Sequence, residues 1–319
     1  MTAPEPRLSA VTVVFEAEIP LLELQARSMA RHVPAGVFEE VLVIDNTRRG
    51  LSPRARRRIR SELGVHADRL AFVSRSAFDL DPATSGWRSQ QSLKLIAARL
   101  LTADHYVVLD AKNHFIAPTT RADFFDHDTG LPHGGIHSFE RHPLRPHLEH
   151  VATRLGLDPA RAVERFTATV PPIVLDRRVV NEIIADVGGG DAARFAREFE
   201  RAGFTEFFLY SGWQIARGST PDALVSGRPL VSPTVWAGAS AARDVRNVLE
   251  SAARSPTTTL AVHRRALARL APTSVRELAA FWSAHGLFPS NAAARRFVRR
   301  FRIAYLRSMG ARRVRELFS

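Results

Sequence analysis

The residues best suited to chemistry crowd into one segment, Gly86 to Pro118, GWRSQQSLKLIAARLLTADHYVVLDAKNHFIAP. Asp110 closes the apolar run YVVLDA, so its carboxylate stands at the end of a strand. A carboxylate on such a rigid lip can anchor a hard cation, which takes oxygen ligands. It can equally cap the turn that follows. Its company favours chemistry: Lys112 and Asn113 come next, and the preceding helical stretch brings Trp87, Gln91 and Lys94 onto one face by i, i+4 and i+3 spacing. Lys94 and Lys112 are also the only lysines among 45 basic residues.

Other candidates lie outside that segment. Asp45 and Asn46 end the run VLVIDN, where they can form a turn or meet a ligand. Glu206 follows Thr205 at a helix start, as a capping-region carboxylate or as a group that takes a proton from a hydroxyl. His263 ends TTTLAVH and is followed by Arg264 and Arg265, which could reach an anionic group or simply be solvated. Tyr210 and Trp213 fit a core or an aromatic stacking platform. Cysteine is absent, which excludes disulfides, thiolate nucleophiles and cysteine-bound metals. Any metal would be held by carboxylates, histidines or amides, and no HExxH spacing marks a zinc site.

The elements that must position these groups alternate. Strands are expected at VTVVFEA (11–17), VLVIDN (41–46), LAFVS (70–74) and YVVLDA (106–111), and helices at 21–33, 54–64 and 90–101. This spacing implies parallel pairing with right-handed crossovers, and ligands of such sheets collect at the carboxyl ends of the strands. Asp45, Asn46 and Asp110 fall there. The second half is less regular: loops from His127 to His150, helices at 191–203, from 205 and at 274–286, and strands within 230–238 and 257–263.

A net charge of +13 points to phosphate-bearing partners, although the arginine-for-lysine skew also reads as GC-rich coding bias. The basic residues are dispersed and no nucleic-acid-binding signature occurs, so no specific nucleic acid is expected. No apolar run is long enough to span a bilayer and the N-terminus does not resemble a secretory signal, so a cytoplasmic protein is expected. From Asn291 the tail carries nine arginines and one glutamate on one or two amphipathic helices. It packs on the core or lies on a membrane surface through Phe297, Phe301, Ile303, Tyr305 and Leu306, which would place the protein at the inner face of the membrane.

The pattern GWxxQQxxKL followed by YxxLDAxxxFIxP resembles an uncharacterised bacterial family related to GT-A fold glycosyltransferases, over roughly Val11 to Pro118, with weaker echoes at TEFFLY (205–210) and LAVHRRAL (261–268). The resemblance implies an α/β, GT-A-like (Rossmann-like) domain over 1–270, its mixed, mostly parallel sheet flanked by helices, with a basic helical extension over 271–319. It implies transfer of a sugar from a nucleotide-diphospho-sugar to a hydroxyl of a glycan or lipid-linked acceptor, with a divalent cation, Mn or Mg. On this reading Asp110, Asn113 and His263 hold the metal. Asp45, Asn46, Arg88, Gln91, Lys94 and Lys112 bind the donor, and Glu206 faces the acceptor. One departure matters: Lys112 stands where such relatives carry the second aspartate of an Asp-x-Asp motif. Either Asp110 and Asn113 hold a metal with help elsewhere, or the Lys112 ammonium replaces it. A scaffold that binds nucleotide or glycan without turnover is the alternative, and a nucleic-acid-binding protein is a more distant one.

Overall fold

A computed structural model of the chain describes residues 6–78, 80, 87–239 and 241–316. Gly86, the first residue of the motif segment, lies outside the described residues. The first half alternates as its periodicity demands: β1 (Leu8–Val14), α1 (Ile19–His32), β2 (Val41–Asp45), α2 (Pro53–Glu62), β3 (Leu70–Ser74), α3 (Trp87–Ile96), β4 (His105–Asp110) and β5 (Asn113–Phe115). Then come β6 (Ile136–His137), α4 (Arg145–Arg154), α5 (Pro159–Glu164), β7 (Phe166–Thr167), β8 (Ile173–Asp176), α6 (Arg177–Gly188), α7 (Ala192–Arg201), α8 (Glu206–Ile215) and α9 (Pro221–Leu224). The chain closes with β9 (Thr234–Val235), α10 (Ala242–Arg254), β10 (Thr259–Val262), α11 (Arg264–Arg269), α12 (Pro272–Ala284) and α13 (Asn291–Glu316).

The main sheet has the order β3-β2-β1-β4-β8, with four parallel strands and β8 antiparallel at the edge. β1 starts earlier than the β-branched run suggests, because Leu8 to Ala10 pair with His105 to Val107, and it stops where Glu16–Glu18 form a 3-10 turn. Register sets the site: Val13 pairs with Asp110 and Val14 with Asp45, so both aspartates reach the same carboxyl edge. A second sheet, β5-β10-β9, springs from the turn after β4.

Helices cover both faces of the main sheet, which accounts for its apolar strands. Alternate residues feed separate cores. Val11, Val13, Tyr106 and Val108 pack with Leu93, Phe166 and Phe208. Leu8, Val14, Val107 and Leu109 pack with Trp282, Phe297 and Phe301. The helical extension expected from residue 271 therefore shares a core with the central strand β1. Phe297 and Phe301, offered by the sequence to a lipid face, belong to that core, whereas Ile303 and Leu306 are exposed. No helix among the described residues is long and apolar enough to cross a membrane.

Candidate active site

The turn from Asp110 to Asn113 is fastened on every side. The Asn113 side-chain carbonyl accepts a hydrogen bond from the Asp110 N–H (2.9 Å), and its amide donates to the Pro171 carbonyl (3.2 Å) and Ser232 Oγ (3.1 Å). Gln25, buried on α1, donates to the carbonyls of Asp110 (2.8 Å) and Asn113 (3.0 Å) while its own carbonyl accepts from Thr12 Oγ1 (2.8 Å). Val262 of β10 donates its N–H to the Lys112 carbonyl (3.2 Å). That carbonyl also lies 3.3 Å from His114 Nδ1, and His114 Nε2 accepts from Trp282 Nε1 (2.8 Å). The accepting Nε2 places the His114 proton on Nδ1. Supports of this kind hold a catalytic group to a narrow geometry.

On this platform Asp110 keeps a quarter of its side chain exposed and meets two ammonium groups. Lys94 Nζ lies 2.9 Å from Oδ1 and 3.1 Å from Glu206 Oε1, and Lys112 Nζ bonds Oδ2. α3 and α8 thus bring Lys94 and Glu206, 112 residues apart in sequence, together at the end of β4. Burial opposes ionisation of Asp110, but Lys112 and Lys94 outweigh it and hold the carboxyl far below the ordinary carboxylate range. Burial likewise works against the charge of Lys94, and Asp110 with Glu206 reverses that and raises its pKa. Lys94 also sits 5.3 Å from the ring centre of Phe207.

The rim is built by the second sheet. Lys112 Nζ stands 5.6 Å from the ring centre of Trp236, which is half exposed and lies 6.4 Å from the His263 ring. His263 caps α11, its Nδ1 accepting from the Arg265 N–H (3.2 Å). Burial, reinforced by Arg264, Lys112 and Arg265, pushes His263 down to about 4 and keeps the imidazole neutral near pH 7. Arg264 pairs with Glu18 (2.7 Å) and lies over Phe15. Burial raises the Glu18 pKa, Arg264 counters it, and the neighbouring Asp110 charge adds to the rise.

The remaining expected residues divide. Asp45 is fully buried: Oδ1 accepts from the Thr47 N–H (3.0 Å) and hydroxyl (2.6 Å), Oδ2 accepts from the Leu51 N–H, and Arg56 lies 3.7 Å away. Its carboxylate is spent on the loop after β2. Asn46 donates to Ser89 Oγ (3.1 Å), but its buried carbonyl oxygen finds no partner among the described residues, and neither does either end of the buried Gln91 amide. Arg88 Nη1 reaches the Phe204 carbonyl (3.4 Å). Trp213 is a core residue bonded to Asp186, and the Tyr210 hydroxyl accepts from the Asp176 N–H. Sequence reasoning missed Gln25, Glu18 and Trp236. Gln25 had a signal, a polar residue among Leu21, Leu22, Ser28 and Met29 on the buried side of α1.

These groups do not fit a divalent cation. Both Asp110 oxygens are taken by ammonium groups, the Asn113 carbonyl faces the Asp110 N–H, and His263 Nδ1 is committed to a helix cap. Among the described residues no three histidine or carboxylate side chains converge as metal ligands.

The fold is similar to that of a solved galactosyltransferase, LgtC, crystallised with donor and acceptor sugar analogues. The likeness has a TM-score of 0.50 at 12% identity and covers 87% of this chain and 95% of that one. An active-site mutant of LgtC (TM-score 0.43, 12% identity, 80% and 86% covered) and the bifunctional glycosyltransferase WbbM (0.45, 10%, 81% and 46%) are further matches. The architecture is GT-A-like, as the motif resemblance implied. No curated protein matches the sequence. The model of a family of unknown function, DUF6492, matches residues 14–222, more than half of the chain and a span that holds Lys94, Asp110, Lys112 and Glu206, and the chain belongs to that family.

Proposed function

We propose that the protein transfers a glycosyl group from a nucleotide-diphospho-sugar to a hydroxyl acceptor, with the diphosphate seated at the Asp110 lip. One observation carries the reading: two ammonium groups from separate elements are gathered on a partly open carboxylate at the carboxyl edge of a parallel sheet, where ligands of such sheets bind. Cations fixed where they are poorly hydrated stabilise the charge that develops on a departing diphosphate, commonly the largest contribution to this kind of catalysis. The unpaired side-chain amide of Gln91 and the unpaired carbonyl oxygen of Asn46 offer a donor and acceptors for the polar edges of the nucleoside. Buried polar atoms left unpaired cost about 1–3 kcal/mol each, so a ligand that satisfies them gains accordingly. Trp236 offers an exposed face on which a sugar or base can stack.

Glu206 takes a different part from the one its sequence position suggests. With Oε1 on Lys94 it is a positioning residue that helps aim the ammonium, and the acceptor's proton passes to solvent or to a group on the acceptor side. A panel of nucleotide sugars in a thermal-shift assay tests the donor, since a ligand bound to the native state raises the melting temperature by mass action. Stabilisation by one donor class, followed by release of its nucleoside diphosphate on addition of acceptor, is the expected result. Binding without release across a broad acceptor screen would leave a nucleotide-binding scaffold instead.

A further inference from the structure

We propose that the ammonium groups of Lys94 and Lys112 stand in the place of a divalent cation, so that nucleotide-sugar binding at this site needs no metal. This rests on the donor reading above and adds to it the identity of the group that meets the diphosphate. A metal site offers oxygen lone pairs to an incoming ion. Here every carboxylate at the lip is already answered by a cation of the protein: Asp110 by Lys94 and Lys112, Glu206 by Lys94, and Glu18 by Arg264. A divalent ion would have to displace an ammonium from Asp110, and that ammonium would remain beside it where both lysine side chains are about nine-tenths covered.

Lys112 is placed to act without letting go of Asp110. An ammonium carries three N–H donors and a carboxylate oxygen uses one, so others remain for phosphate oxygens. Its ammonium faces the Trp236 ring, and its main chain is held by Val262 and His114. Arg265, exposed beside His263 and with no side-chain partner among the described residues, supplies a second arm at the rim. In the transfer the bond from the anomeric carbon to the diphosphate oxygen breaks with its electron pair going to that oxygen. The acceptor hydroxyl oxygen forms the new bond to the anomeric carbon, and its proton is released. Nucleoside diphosphate and one proton are the co-products. The growing charge on the diphosphate is met by N–H donors of Lys112, which Asp110 keeps aimed.

Two measurements test this. The first uses Mn2+ alone: electron paramagnetic resonance of the full chain titrated with Mn2+ should show no ordered bound ion, whereas Lys112→Asp, which creates an Asp-x-Asp lip, should show one. Ordered stoichiometric Mn2+ in the wild type, abolished by Asp110→Asn, would overturn the proposal whatever the donor does. The second repeats the nucleotide-sugar panel in EDTA and in Mn2+. The wild type should bind equally in both, Lys112→Met should lose about tenfold or more in affinity in EDTA, and Lys112→Asp should bind only with Mn2+. Wild-type binding confined to Mn2+ would reject the metal-free site and keep the donor reading. Absence of binding in both conditions would remove both.

Discussion

Asp45 and Asp110 end β2 and β4 on either side of β1, level with Val14 and Val13, yet they are satisfied in opposite ways. Asp45 is closed off, its oxygens filled by N–H and hydroxyl groups of its own loop from Thr47 to Leu51. The Asp110 carboxylate takes no backbone N–H among the described residues and is held by long side chains from the following turn and from α3. Backbone donors are fixed by the fold, so the first arrangement is architecture. Ammonium groups on flexible stems can share their hydrogens with a ligand, so the second can do chemistry. On the proposed function, the source of a carboxylate's partners, more than its position in sequence, marks Asp110 as the working group and Asp45 as a structural one.

The sharpest way to break this contrast is to remove the shared cation. Lys94→Met leaves Asp110 and Glu206 without their common partner, and urea unfolding should show a loss of about 3–5 kcal/mol. Glu206→Gln in the same chain should restore part of it, which a double-mutant cycle reads directly. Asp110→Asn should lower turnover by roughly 10²–10³-fold and abolish the donor-induced thermal shift while the circular dichroism spectrum is kept. Asp45→Ala should do the reverse. It should cost about 2 kcal/mol of stability, seen as a lower urea midpoint, with donor affinity unchanged. Loss of donor binding in Asp45→Ala at full stability would dissolve the distinction.

Acid sharpens it further. His263 and the buried His114 are both held at about 4, below the ordinary 6.5, so the unfolded chain binds more protons between these values. Stability should therefore be full above about 6.5 and fall as pH drops towards 4. Asp110 adds its own slope mainly at the acid end, from about pH 5 downward, where the unfolded chain's carboxyl takes up a proton that the folded one still refuses. His263→Asn, which keeps a capping side chain, should flatten part of the slope in urea midpoints measured against pH. The smallest effect expected is from Trp236→Ala, a loss of about fivefold in donor affinity, since it removes a stacking face and no charge.

Much of the first half was legible from periodicity. LAFVS is β3 to the residue, and YVVLDA differs from β4 by one position at each end. Lys94 and Lys112 could be tied to Asp110 because helical spacing and short sequence distance carry local geometry. Glu206 could be named but not given its partner, since its bond to Lys94 depends on how α8 docks against α3. Asn113 could not be told from a ligand by residue type alone; its amide is turned by Pro171 and Ser232, far away in sequence. The second half hid more. α6 and α10 passed unnoticed, and β9 shrinks to two residues within the expected 230–238 run, because Pro233 has no N–H to donate and so lengthens no ladder. The exposure of Trp236 follows from that short edge and has no signature in composition.

The chain of contacts from Trp282 through His114 to the Lys112 carbonyl has a practical corollary. An indole deep in the C-terminal layer is linked through His114 to the proposed catalytic turn, so with the other three tryptophans replaced its emission would gauge that turn's geometry. A chain shortened before α12 would lose more than surface: Lys112 would forfeit one of the anchors that keep its main chain still. Trimming the C-terminus to improve expression would loosen the site from behind.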